Sequence, residues 1–219
     1  VGLAAELGEG ERFPECVILP GFVNAHTHLE YAVYAGFGDG LSFGSWIGVH
    51  VERKQRIGQE EMEAIARLGA LECLRSGVTM VGDCSFSGAA ATACAAVGLD
   101  AVIYLEVFGS ADVGRERFER LSALVDGALS DGVRLGISPH APYTTSLDLY
   151  GAAVELGLPI ATHLSESQDE LDYVRSGEGP WSGIAEMLVP PLGTTGIRAL
   201  ADEGLLGPSV LAAHCVKVD

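Results

Sequence analysis

The chain has 219 residues, 48% of them apolar and 20% charged, a composition that folds around a core and excludes disordered and fibrous classes. Its 13 basic and 30 acidic residues leave a net charge of −17, which excludes the clustered Lys and Arg of a nucleic-acid or basic membrane-binding face. No apolar run is long enough to span a bilayer and no signal-peptide pattern opens the chain, so the cytoplasm is the expected compartment.

In chain order, residues 1–16 read as the remnant of a preceding small β domain and 17–219 as one barrel unit. The apolar run 16–19 meets Pro20 and Gly21 and restarts over 22–26 as the first strand. The aromatic-rich segment 30–54 follows, with Tyr31, Tyr34, Phe37, Phe43 and Trp46. Residues 59–75 have helical spacing, with Ile65, Leu68, Leu71 and Leu74 as the expected buried face. Ser76 and Gly77 stop that helix, and 78–84 reads as a strand. A small-residue helix over 89–97 closes at Gly98, and 101–108 is a continuous apolar run of the kind covered on both faces. Helix 115–129, strand 133–138, helix 147–156 and strand 159–164 continue the alternation. An acidic, Gly- and Pro-rich stretch over 166–196 holds a short helix, before helix 197–203 and strand 210–215.

Strands alternating with helices in units of roughly 30 residues predict a parallel α/β fold. No G-x-G-x-x-G or phosphate-binding loop is present, and the polar residues of interest fall at strand C-terminal ends in several units. That distribution predicts a (β/α)8 TIM-like barrel. Six strands are legible where such a barrel has eight, so the chain is expected to lack the C-terminal part of the barrel. The five cysteines (Cys16, Cys73, Cys84, Cys94, Cys215) are odd in number, irregularly spaced and without a C-x-x-C pair. They are expected as small core residues rather than as disulfides or a zinc knuckle.

Chemistry concentrates on the histidines. His26 and His28 lie two apart at the end of the first strand, so both imidazoles share a face and can reach one metal. His140, His163 and His214 end the fourth, fifth and sixth strands. Taken singly, each is more often a structural histidine. Four strands ending in histidine at one rim are different, because core packing selects Val, Ile and Leu there and buried imidazoles need partners. Glu166, three residues past His163, can curl over the metal and move a proton; the competing reading makes it a helix cap. Asp169 and Glu170 are expected to be solvated, Asp83 and Glu106 to be structural, and His50 to have no role.

These motifs carry a resemblance. Pro20-Gly21-Phe22-Val23-Asn24-Ala25-His26-Thr27-His28 resembles the strand-one signature of the amidohydrolase superfamily. The segments beginning His140-Ala141-Pro142-Tyr143-Thr144, His163-Leu164-Ser165-Glu166-Ser167 and Ala213-His214-Cys215-Val216 resemble its nucleoside and nucleobase deaminase branch. That branch includes methylthioadenosine/S-adenosylhomocysteine and aminodeoxyfutalosine deaminases, with chlorohydrolases beside them. The resemblance implies that His26, His28 and His163 hold one divalent metal, zinc or in some relatives iron. It implies Glu166 as proton shuttle, His214 as the group that orients the metal-bound hydroxide, or a further ligand, and His140 as a substrate contact. The superfamily's last ligand, an aspartate on strand eight, has no counterpart in these residues.

The implied activity is hydrolytic deamination of an aminopurine nucleoside or related nucleobase, a small-molecule substrate, with release of ammonia. Trp46 and its aromatic neighbours would cover that substrate; a packing lid or a dimer contact is the alternative, and a homo-oligomer stays open. The competing functions are a chlorohydrolase or cyclic-amide hydrolase of the same superfamily, and an inactive barrel fragment that binds metal or ligand only.

Overall fold

The computed structural model describes residues 6, 8, 10, 11 and 13–218. Six strands, β1 (Phe22–Thr27), β2 (Val78–Ser85), β3 (Asp100–Val107), β4 (Val133–Pro139), β5 (Ile160–Leu164) and β6 (Val210–His214), pair in chain order, all parallel. Every connection carries helix: α1 (Phe43–Lys54) and α2 (Gln59–Arg75) after β1, α3 (Ala89–Val97) after β2, α4 (Ala111–Val125) after β3, α5 (Leu147–Glu155) after β4, then α6 (Gln168–Ser176) and α7 (Gly196–Asp202) after β5. Short 3-10 helices cover Leu29–Tyr34, Asp126–Ala128 and Pro180–Met187. Parallel neighbours joined by helical crossovers curve into an arc of a (β/α)8 barrel. The curvature is enough to bring the rings of His26, on β1, and His214, on β6, to 5.2 Å.

Small residues permit this curvature. A Cβ on Gly136 of β4 would lie 2.6 Å from the Tyr104 ring, so the missing side chain is what lets Tyr104 fill the barrel interior beside Cys84, Val102 and Ala161. β3 is buried at every residue after Asp100, because the barrel interior takes one face and helices take the other. The outer layer packs Ile103, Leu105 and Val107 against alanines of α3 and against Phe118 and Leu121 of α4.

The α2 face differs from expectation. Leu68 and Leu71 are each 44% exposed, and Met62, Ala66, Gly69 and Ala70 are the buried residues. The 3-10 helix after β1 lies so close that a Cβ on Gly69 would sit 3.0 Å from the Leu29 carbonyl oxygen, and only small side chains fit. The run 16–19 forms no strand, and Val17, Ile18 and Leu19 are exposed. Cys16 is exposed too, correcting its placement in the core; Cys84 and Cys94 are buried, Cys73 and Cys215 partly so. Half of the supposed 1–16 remnant, residues 1–5, 7, 9 and 12, lies outside the described residues. α4 starts earlier than expected, with Ser110 in extended conformation as N-cap. No helix of the described residues is long and apolar enough to cross a membrane.

Candidate active site

The C-terminal ends of the strands deliver the histidines to one rim. His26, His28 and His163 each offer a ring nitrogen, and the three nitrogens lie within 4.8 Å of one another. Two hydrogen bonds fix the tautomers. His28 Nδ1 donates to the Cys84 carbonyl at 2.9 Å and His163 Nδ1 donates to the His140 carbonyl at 2.7 Å. A carbonyl only accepts, so each Nδ1 carries the proton and each Nε2 carries a lone pair. Those two Nε2 atoms face each other at 3.1 Å.

Protonation would relieve the opposition, but the site resists it. Burial, then neighbouring histidines, hold His28 well below the usual imidazole range, and burial is the main cause that lowers His26 and His163 to about 4. The group that satisfies two opposed lone pairs in such surroundings is a cation. Two imidazole nitrogens bound tetrahedrally at about 2.0–2.1 Å from zinc stand about 3.3 Å apart, so the donor set fits that ion. Glu106, His140 and His163 form a second candidate set within 4.8 Å, but the one free nitrogen of His163 is already turned toward His28.

Beyond β5 the backbone turns sharply. Ser165 adopts a left-handed φ of 51°, and His214 and Cys215 do the same at 71° and 49°. Such conformations cost about 1–3 kcal/mol each in non-glycine residues and persist where their surroundings over-determine them. At Ser165 the restraint is Glu170, whose carboxylate accepts from Ser165 N and Glu166 N, both at 2.8 Å. Glu170 is 2% exposed, which corrects the expectation that it is solvated. Asp169 is half-buried rather than fully solvated. The turn aims Glu166 at the rim, with Oε2 3.6 Å from His214 Nε2. Burial and the adjacent Glu170 raise the Glu166 carboxyl to about 7.

On the other side stand His140, Trp46 and a buried polar group. His140 Nδ1 is 2.7 Å from Thr144 Oγ1, and its ring lies 5.0 Å from Phe108. Trp46, on α1, stacks toward Tyr31 at 6.1 Å and helps line a groove of about 470 Å³ with His28, Tyr31 and Tyr34. His50 lies inside α1, fully buried among Trp46, Tyr34, Tyr31 and Phe37, and away from the histidine cluster. Glu30 accepts from Ser85 Oγ, Ser87 N and Ser87 Oγ, tying the 3-10 helix after β1 to the end of β2. Asp83 accepts from Leu29 N at 2.7 Å and holds the same turn, as a structural residue. Glu106 behaves differently: its side chain faces the histidines, and burial raises it to about 7.

Residues 17–219 match the profile of the Amidohydrolase family. The chain belongs to that family. Among its relatives, the 5'-deoxyadenosine deaminase of Methanopyrus kandleri is 32% identical over 228 residues, covering 98% of this chain and 48% of that protein. The 5-methylthioadenosine/S-adenosylhomocysteine deaminase of Syntrophobacter fumaroxidans is 30% identical over 217 residues, covering 93% and 46%. The crystal structure of Helicobacter pylori aminofutalosine deaminase with methylthio-coformycin superposes with a TM-score of 0.64 at 26% identity, covering 80% of this chain and 45% of that one. The chain spans about half the length of the curated relatives it matches.

In this amidohydrolase the structure brings His26, His28, His163, His214, Glu166 and His140 to one rim, with Trp46 on the flanking helix. Sequence reasoning missed Lys54, Arg117 and the second carboxylate of the Glu166 turn. Arg117, on α4, donates to the backbone carbonyls of Glu106 and Phe86 and so ties the ends of β2 and β3. The serine N-cap before Glu170 and the spacing of Glu166 from Glu170 gave a signal for a capped first turn, but not for a carboxylate folded back under Glu166.

Proposed function

We propose that this chain carries the catalytic centre of a metal-dependent hydrolase that deaminates aminopurine nucleosides. The opposed lone pairs of His28 and His163, 3.1 Å apart beside Glu166, support this reading most strongly. His26, His28 and His163 would hold one divalent ion, and an all-imidazole donor set favours zinc. Such an ion supplies Lewis-acid activation of water near neutral pH.

The chain's own side chains do the rest. Water replaces the exocyclic amine of the ring, giving an oxo-purine and ammonia. Glu166, raised to about 7, holds a proton in a large share of molecules at neutral pH and gives it from its carboxyl to the ring nitrogen beside the reacting carbon. The carboxylate then takes one proton of the attacking water, passes it to the departing amine, and recovers the remaining hydroxyl proton as the oxo group forms. His214, 3.6 Å from Glu166 Oε2, keeps the attacking water directed at the carbon. His140, with Nδ1 held at Thr144, offers Nε2 to the purine, and Trp46 covers the base. The deaminase names of the two curated relatives support the same chemistry.

The test is ammonia release from adenosine, methylthioadenosine, S-adenosylhomocysteine and aminodeoxyfutalosine, with wild type beside Glu166→Gln. Release that falls by about 10²–10⁴ in the variant is the expected result for loss of a positioned acid–base group. Ammonia from none of the four would reassign the site to a different leaving group.

A further inference from the structure

Glu106 ends β3 facing the rim and is 4% exposed, yet no donor of the described residues lies within hydrogen-bonding distance of its carboxylate. His28 Nδ1 is 4.0 Å away and is already engaged with the Cys84 carbonyl. Arg117 passes close by, but donates to the Glu106 backbone carbonyl instead. A buried carboxylate without donors is strongly disfavoured unless a ligand completes it.

Lys54 is the complementary group. It reaches in from the last turn of α1, is 8% exposed, and donates to Tyr31 Oη at 3.2 Å while lying 3.9 Å above the Phe86 ring. An ammonium has three protons, so donor capacity remains. Of its other acidic neighbours, Glu30 is engaged by Ser85 and Ser87, and Asp83 accepts from Leu29 N through Oδ2 while its Oδ1 stays unpaired in the fully buried interior. Glu106 and Lys54 thus keep unused hydrogen-bonding capacity beside the histidine cluster, whereas the unpaired Asp83 oxygen is sealed in the interior. An anionic ligand would meet the Glu106 carboxylate, and a cationic one would meet Lys54. A neutral hydroxyl, which donates and accepts, satisfies both.

Position completes the argument. Glu166 and His214 flank the histidine cluster from the β5 and β6 ends, whereas Glu106 and Lys54 flank it from β3 and α1. A substrate whose reacting carbon sits by Glu166 and whose remaining part lies toward β3 would meet both groups. Resting on the deaminase reading, we propose that Glu106 and Lys54 recognise the hydroxyl-bearing sugar of the nucleoside, Glu106 accepting and Lys54 donating.

The experiment compares kcat and KM for adenosine and 2',3'-dideoxyadenosine in wild type, Glu106→Gln and Lys54→Met. The ratio of kcat/KM values within each protein is independent of the fraction folded. Wild type should favour adenosine by about 30-fold, mostly through KM, and each variant should reduce that preference to about 3-fold. A preference unchanged in both variants overturns the proposal. Should wild type release no ammonia from either nucleoside, the deaminase reading falls, and calorimetric binding of the same two compounds decides the subsite. Discrimination lost in Glu106→Gln would uphold it, and equal or absent binding would overturn it.

Discussion

Glu166 and Glu170 show how two carboxylates four residues apart are given different work. Glu170 is consumed by the backbone N–H groups of Ser165 and Glu166, which pins the left-handed turn after β5 and leaves Glu166 facing the rim. Glu170→Ala removes both acceptors and leaves two backbone donors in a strained turn. It should cost about 2–3 kcal/mol in chemical denaturation and lower kcat, with Glu170→Gln recovering part of each. Glu166 lies in the opposite situation. Its folded pKa of about 7 stands above the usual carboxylate value, so between roughly pH 4.5 and 7 the folded state binds more protons than the unfolded state. Stability from this group is therefore present at low pH and lost as pH rises through about 7. Glu166→Gln should stabilise the metal-free protein at pH 8 by about 1–2 kcal/mol, discounted because the side chain is 24% exposed, while lowering turnover by about 10²–10⁴. Equal melting temperatures for the two proteins at pH 8 would count against a strained, functional carboxylate.

At the scale of elements, the site depends on how closely β1 lies against β2. A Cβ on Gly82 would fall 2.4 Å from the Ala25 carbonyl oxygen, one residue before His26. Gly82→Ala therefore forces β1 outward at His26 and His28, the pair proposed to bind metal. It should cost about 1–3 kcal/mol and weaken zinc binding measured by competition with a chelating dye. Such close approaches also explain which features the sequence disclosed. The strands and most helices were legible, because apolar runs broken by Gly and Ser and helical spacing are local properties. The histidines were legible as a set because each ends a strand, and strand ends of a parallel barrel converge. The α2 face was not. Leu68 and Leu71 have the right periodicity, yet the helix buries Ala66, Gly69 and Ala70, since backbone proximity there outweighs side-chain hydrophobicity. Lys54 and Arg117 were equally hidden, because their contacts join segments distant in sequence, and Glu106 was visible only as an acidic residue near a strand end.

Across the whole molecule, the metal-free rim carries a net preference for neutral histidines. His26 and His163 are lowered to about 4, and burial also lowers His28, His140 and His214. For a depressed imidazole the unfolded chain binds more protons between the folded value and about 6.5, so stability is present above about 6.5 and lost as pH falls toward 4. The thermal midpoint of metal-free protein should fall across that window, outweighing the opposite trend of Glu106 and Glu166. A bound divalent ion engages the neutral imidazoles, so zinc should raise the midpoint most above pH 6.5 and lose its effect near pH 4. A zinc effect independent of pH would be inconsistent with a histidine centre.

The most direct test of the three-histidine centre follows ammonia release from adenosine while metal is removed and restored. Dialysis against a chelator should abolish release, and about one equivalent of zinc per chain should restore it in wild type but not in His28→Ala. Undiminished release from protein holding less than about a tenth of an equivalent of metal would contradict it.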